Sequence, residues 1–127
     1  MIVLDASVLI AHLDGRDAHH ERAGSLLLAV ADQPFVASPL SLAEVLVGPA
    51  RAGRIDRATA SLHQLEVVSV PLGKGAPVRL AVLRAETGLR LPDCCVLLAA
   101  EQVRGAVATF DGRLAATAGE LGFAVMG

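Results

Sequence analysis

Asp5, Glu44, Asp93 and Asp111 are the side chains of this 127-residue sequence whose types and settings could do chemistry. Asp5 directly follows the apolar run Ile2, Val3 and Leu4, and Asp111 directly follows Ala106 to Phe110. Both runs have the composition of short buried strands. Glu44 interrupts an apolar helical face on which Leu40 and Val47 stand at i−4 and i+3, while Asp93 opens the apolar stretch that runs to Ala100. Four carboxylates brought together repel and raise one another's pKa values unless a cation neutralises them. Oxygen donors without a compact His or Cys set suit Mg2+ or Mn2+ rather than zinc. Such an ion could polarise a phosphodiester and activate water, so the chemistry in view is phosphodiester hydrolysis. Without the ion, removing one charge, as in Asp5→Asn, should relieve the fold.

Each acid also has a plainer reading. Asp5 or Ser7 could cap the helix carried by Val8 to Leu13. Glu44 fits an S-x-x-E capping box with Ser41, although Ser38 followed by Pro39 competes as the start of that helix. Asp93 could be a first-turn acid favoured by the helix dipole. Whether these readings or the shared chemistry applies depends on whether the fold brings the acids to one place.

The order of segments predicts that it does. Ile2–Leu4, Phe35–Ala37, Val67–Val70, Ala106–Phe110 and Phe123–Val125 read as strands. Helical patterns lie between them: Val8–Leu13, about Ala18–Ala31, a helix opened by Ser38 and Pro39 and closed by Gly48 and Pro49, Asp56–Leu65, Pro77–Thr87, Pro92 to near Gly105, and a last helix through Leu114, Ala118 and Leu121. This alternation implies an α/β fold with a mainly parallel sheet and right-handed crossovers, in one domain over residues 1–127. All strands of such a sheet open on one edge, and that edge is where ligand sites form. Asp5 and Asp111 would stand there, with Glu44 and Asp93 near the starts of flanking helices.

Composition narrows the classes. No apolar run reaches the roughly 18 residues of a membrane span, and Met1 leads directly into a strand, so a soluble cytoplasmic protein is expected. Cys94 and Cys95 are adjacent, cannot close an ordinary disulfide on a helix, and read as buried thiols. Net charge is −2 from 11 basic and 13 acidic residues, so any contact with nucleic acid must come from local charge or a bound cation. Trp and Tyr are absent and only three Phe occur, which removes the stacking platforms of many single-strand binders. Arg51, Arg54 and Arg57 could share one side as a phosphate-contacting patch or a solvated face. His19 and His20 diverge on a helix and read as solvated or partner-facing, and His63 as a surface residue. Gly73, Lys74 and Gly75 lack the spacing and the Lys-Ser/Thr ending of a P-loop. An apolar fraction of 54% exceeds what one small core needs, which predicts a homodimer.

The segments VLDASVLIA, SLAEVLVG, LPDCCVLLAA and VATFDGRL resemble, in order and separation, the four acidic motifs of PIN domains, specifically of VapC-type toxins from toxin–antitoxin systems. AHHERA, Ala18 to Ala23, is similar to a loop-helix stretch of these toxins, and the likeness covers nearly the whole chain. The resemblance implies a three-layer PIN-like fold and a Mg2+- or Mn2+-dependent endoribonuclease held off by a cognate antitoxin. By position, it makes Asp5, Glu44, Asp93 and Asp111 the metal-site acids. It makes Ser7 and Thr109 hydroxyls that orient water or a carboxylate, and it offers Arg113 as a contact to RNA phosphate or to an antitoxin acid. Two rivals remain. A phosphohydrolase of the haloacid-dehalogenase type needs Asp-x-Asp after the first strand, where this chain has Ser7. A catalytically silent interaction domain would ordinarily have lost an acid, and none is missing.

Overall fold

The computed structural model describes residues 1–127 and places five strands in one sheet. The strands are β1 (Ile2–Leu4), β2 (Phe35–Ala37), β3 (Val68–Ser69), β4 (Ala106–Ala108) and β5 (Val125–Met126). Their spatial order is β3-β2-β1-β4-β5, and every neighbouring pair is parallel. The central register matches Ile2 to Ala106, Val3 to Val107 and Leu4 to Ala108. Asp5 and the residues after Ala108 therefore leave the sheet side by side at the same end.

Seven helices cover the sheet: α1 (Ala6–Leu13), α2 (His20–Ala29), α3 (Pro39–Arg51), α4 (Ile55–Gln64), α5 (Ala76–Thr87), α6 (Leu91–Val103) and α7 (Gly112–Glu120). The unalternating apolar strands are explained by burial from both sides. Val3, Val36 and Val107 pack with Leu83 of α5, Leu97 of α6 and Leu114 of α7. Ile2, Leu4, Phe35, Ala37 and Ala108 pack with Val8 and Leu9 of α1, Leu27 of α2, Val45 of α3 and Leu62 of α4. The result is the three-layer, PIN-like arrangement, with a sheet that is parallel throughout. Cys94 and Cys95 are free and buried, and burial pushes both thiols up.

Several boundaries differ from the sequence reading. Gly48 and Pro49 do not end α3, which continues to Arg51. A proline near the end of a helix forfeits only one late hydrogen bond, and Gly48 before it has no Cβ for the pyrrolidine ring to strike. The stop comes at Gly53, whose φ of +70° is left-handed, with the Arg54 N–H donating back to the Pro49 carbonyl at 2.8 Å. The last strand is Val125–Met126 rather than Phe123–Val125. β4 ends at Ala108; the Thr109 N–H still donates to the Met126 carbonyl, and those of Phe110 and Asp111 turn to side-chain hydroxyls. The second helix begins at His20, after Asp17 Oδ1 has accepted the His19 N–H at 2.8 Å. No helix is long and apolar enough to cross a membrane.

Candidate active site

Asp5 occupies the N-cap position of α1 with extended backbone, yet its carboxylate does not cap that helix. Oδ2 instead accepts two hydroxyl hydrogen bonds, from Ser7 Oγ at 2.7 Å and from Thr109 Oγ1 at 2.7 Å. The hydroxyls are themselves fixed from behind. Ser7 Oγ accepts the Phe110 N–H at 3.0 Å, and Thr109 Oγ1 accepts the Asp111 N–H at 3.0 Å. Asp5 is only 7% exposed and Thr109 3%, so this network is largely shielded from water. One oxygen of Asp5 is thereby held, and its other oxygen takes no protein donor. The Phe110 and Asp111 N–H groups are the scaffold of the site, while the Thr109 N–H before them still donates to the Met126 carbonyl of β5.

Asp111 does cap a helix. Its Oδ1 accepts the N–H groups of Arg113 at 2.9 Å and Leu114 at 3.1 Å at the start of α7. Its second oxygen has no protein donor, so its position repeats the half-held state of Asp5. Ser38, not Ser41, caps α3, accepting the Ser41 N–H on Oγ at 3.0 Å, which removes the capping-box reading of Glu44. Glu44 stands one turn further along α3, and Asp93 lies in the first turn of α6.

The electrostatics tie the four acids together. Burial, then Asp5, then Asp93 push the Glu44 carboxyl above the usual range, against a smaller opposing pull from Arg90. Burial, then Asp5, then Asp111 push Asp93 up in the same way, with Arg90 and Arg113 pulling it down. Each of these two acids is therefore in the field of two others. No three His, Cys, Asp or Glu side chains stand close enough to enclose an ion as they lie. The donor set nevertheless fits a hard divalent cation: it is all carboxylate, and two members are oriented from behind in the manner that presets metal-ligating groups.

Arg113 Nη2 donates to the Gly88 carbonyl at 3.1 Å and so ties the start of α7 to the turn before α6. Arg90, at the N-cap of α6, acts on both Glu44 and Asp93 and was not legible in the sequence, since nothing in its local spacing marks it. Phe110 is a second residue that composition concealed. Its ring lies 5.2 Å from the His19 ring, and the Arg22 guanidinium stands 4.7 Å from its centroid, so an aromatic group does adjoin the site despite the scarcity of aromatics. His20 turns the other way, its Nδ1 2.8 Å from the Ala11 carbonyl oxygen.

Beside Glu44 opens a cavity of about 520 Å3 between α1, α3 and α4. Of the four acids only Glu44 lines it. Arg54 and Arg57 reach it and Arg51 does not, so the three arginines do not form a single patch.

Comparison with known proteins agrees with this architecture. The PIN domain family model matches residues 2–120. A toxin–antitoxin complex from Klebsiella pneumoniae superposes with a TM-score of 0.73 at 25% identity, over 87% of this chain and 87% of that one. VapC20 of Mycobacterium tuberculosis, a toxin that cleaves the sarcin-ricin loop, gives 0.77 at 19% identity over 97% and 96% of the two chains. FitAcB of Neisseria gonorrhoeae gives 0.74 at 21% over 100% and 97%. No curated protein matches the chain in sequence. With the family model spanning almost its full length, the chain belongs to the PIN domain family.

Proposed function

We propose that this protein is a divalent-metal-dependent endoribonuclease, the toxin of a toxin–antitoxin pair, acting in the cytoplasm as one domain. The observation that carries the reading is the mutual field of the acids: Glu44 and Asp93 are both pushed toward protonation by burial and by their acidic neighbours. Such an arrangement is uneasy alone and is relieved by a cation. Asp5, Glu44, Asp93 and Asp111 would hold Mg2+ or Mn2+. Bound there, the ion supplies Lewis-acid polarisation of the phosphodiester and a nucleophile at neutral pH.

The chain's own groups have separable tasks. Ser7 and Thr109 fix one oxygen of Asp5 and direct the other outward. The α7 cap does the same for Asp111. Glu44 is the exposed acid of the four and would be the ligand open to the cavity between α1, α3 and α4. Arg90 and Arg113 place positive charge beside Asp93, where a phosphate would approach. The likeness to a toxin–antitoxin complex supports a protein antitoxin as partner. Arg113, beside Asp93, is then the contact for an RNA phosphate or for an acid of that partner.

The test is incubation of purified protein with RNA and Mn2+, beside Asp5→Asn and Asp93→Asn. Internal cleavage by the wild type that disappears in both variants and in excess chelator is the expected result. Undiminished cleavage in chelator would remove the metal from the reading. A wild type that leaves RNA intact in Mn2+ would return the chain to a silent interaction domain.

A further inference from the structure

Arg54 is the N-cap residue of α4, and Arg57 follows three positions later in its first turn, so both leave the same side of the helix start. Both are exposed and both line the cavity that Glu44 borders. Neither has a carboxylate partner, since the chain's ion pairs are Arg16–Asp14 and Arg79–Glu101. Apolar side chains also line it, Ile10 and Leu13 of α1 and Pro49 of α3, with Ile10 left 40% exposed. The cavity thus combines two unpaired cations, an apolar surface, the mutually paired Arg16 and Asp14, and Glu44 of the candidate active site. Its volume of about 520 Å3 suits a small ligand or one unit of a polymer.

We propose that this groove is a subsite for a nucleotide flanking the scissile bond of single-stranded RNA. Arg54 and Arg57 hold its phosphate, and the wall of Ile10, Leu13 and Pro49 receives the face of its base. The inference rests on the reading of the acids as an RNA-cleaving centre and adds the residues that keep the strand there. Charge complementarity favours this occupant. Unpaired guanidinium groups match phosphate oxygens in geometry as well as sign. A strand approaching four carboxylates is repelled unless fixed cations offset them; Arg90 and Arg113 do so beside Asp93, and Arg54 and Arg57 continue the positive charge along the cavity that Glu44 borders. Phosphate contacts position a strand without reading it, so these arginines should contribute affinity across sequences.

Binding can be measured apart from cleavage. Asp93→Asn protein in chelator is titrated with a fluorescent single-stranded oligoribonucleotide over a range of salt, with and without Arg54→Gln and Arg57→Gln. Both side chains are exposed, and an unchanged melting temperature verifies the fold. The double substitution should weaken binding about tenfold at moderate salt and flatten the slope of log affinity against log salt by roughly 1.4, two phosphate contacts' worth for single strands. Lysine at both positions should recover the slope and only part of the affinity, because a point charge replaces a fork. Unchanged affinity and slope in a protein whose parent cleaves RNA overturn the subsite and leave the nuclease reading standing. RNA binding that survives the substitutions while binding of a fluorescent oligoglutamate peptide, titrated in parallel, is lost also overturns it and makes the groove a protein-docking surface. A parent that neither binds nor cleaves RNA removes both.

Discussion

Asp5 and Thr109, 104 residues apart, meet in a 2.7 Å hydrogen bond from Thr109 Oγ1 to Asp5 Oδ2. The parallel pairing of β1 with β4 brings them together, and the same hydroxyl receives the Asp111 N–H. Thr109→Val keeps the shape and removes both bonds. It should cost about 2 kcal/mol, the scale of a hydrogen bond to a charged group. Cleavage should fall with it, and Thr109→Ser should restore both. Urea unfolding checks the first effect and an RNA-cleavage assay the second; a Val variant as stable and active as wild type would make the contact incidental.

Charge relief belongs to Asp93 rather than to Asp5. The sequence alone pointed to Asp5→Asn, but that carboxylate is engaged by two hydroxyls, and its replacement weakens both bonds. Asp93→Asn should stabilise the metal-free protein near pH 7 by about 1 kcal/mol, the size of a like-charge contact in a hydrated setting. The sign reverses the common carboxylate case. The folded pKa of Asp93 is raised, so the stability carried by its protonated form is complete below the unfolded value of about 3.9 and is lost as pH rises through the folded value. The advantage of Asn should therefore shrink as pH falls from 7 toward about 4. Melting curves in chelator across that range test it, and a gap that widens in acid would contradict it.

Metal should act in the opposite sense. A cation that binds the folded acids and not the unfolded chain adds roughly 2.7 kcal/mol at 100 times its dissociation constant. Wild type should melt higher in Mn2+ than in chelator, and Asp93→Asn should gain much less. Equal gains in the two proteins would show that the ion binds elsewhere.

Asp111 has two duties that substitution can separate. Asp111→Asn keeps an oxygen for the Arg113 and Leu114 N–H groups, whereas Asp111→Ala removes the cap and should cost about 1 kcal/mol. Both should lose activity if the free carboxylate oxygen serves the site. An active Asn variant beside an unstable Ala variant would make Asp111 a helix cap alone.

Self-association has a specific surface to test. On α5, Val78, Ala81, Val82 and Ala85 recur at helical spacing and are all exposed, Val78 at 73%. Val78→Glu should lower the molar mass seen by light scattering at micromolar protein. A wild type already monomeric there would remove the homodimer.

The parts of this molecule that could be read from the sequence are those where one local pattern has one structural solution. Ile2–Leu4 followed by Asp5, and Ala106–Ala108 followed by an acid three residues on, are buried strands ending at the open side of a parallel sheet, and their apolar runs admit little else. Ser38 and Pro39 fix the start of α3 in the same way. Pro49 misled because its cost depends on where in the helix it falls and on the glycine before it. Arg90 and Phe110 matter through what folding sets beside them, Asp93 and Glu44 for one and His19 and Arg22 for the other, which no window of sequence contains.

The strand order β3-β2-β1-β4-β5 also has a dynamic consequence. The outermost strands, β3 and β5, are two residues long and partly open to water, while β1 and β4, which deliver Asp5 and Thr109, lie inside them. Local opening is easiest where few apolar contacts are broken. The β3 edge can therefore fray and reclose without disturbing the spacing of the acids, whereas opening of β5 releases the Thr109 N–H from the Met126 carbonyl and so reaches the residue that holds Asp5. Backbone amides of Val68 and Val125 should exchange with solvent by such fraying, whereas those of Val3 and Val107 should exchange only when the whole molecule unfolds.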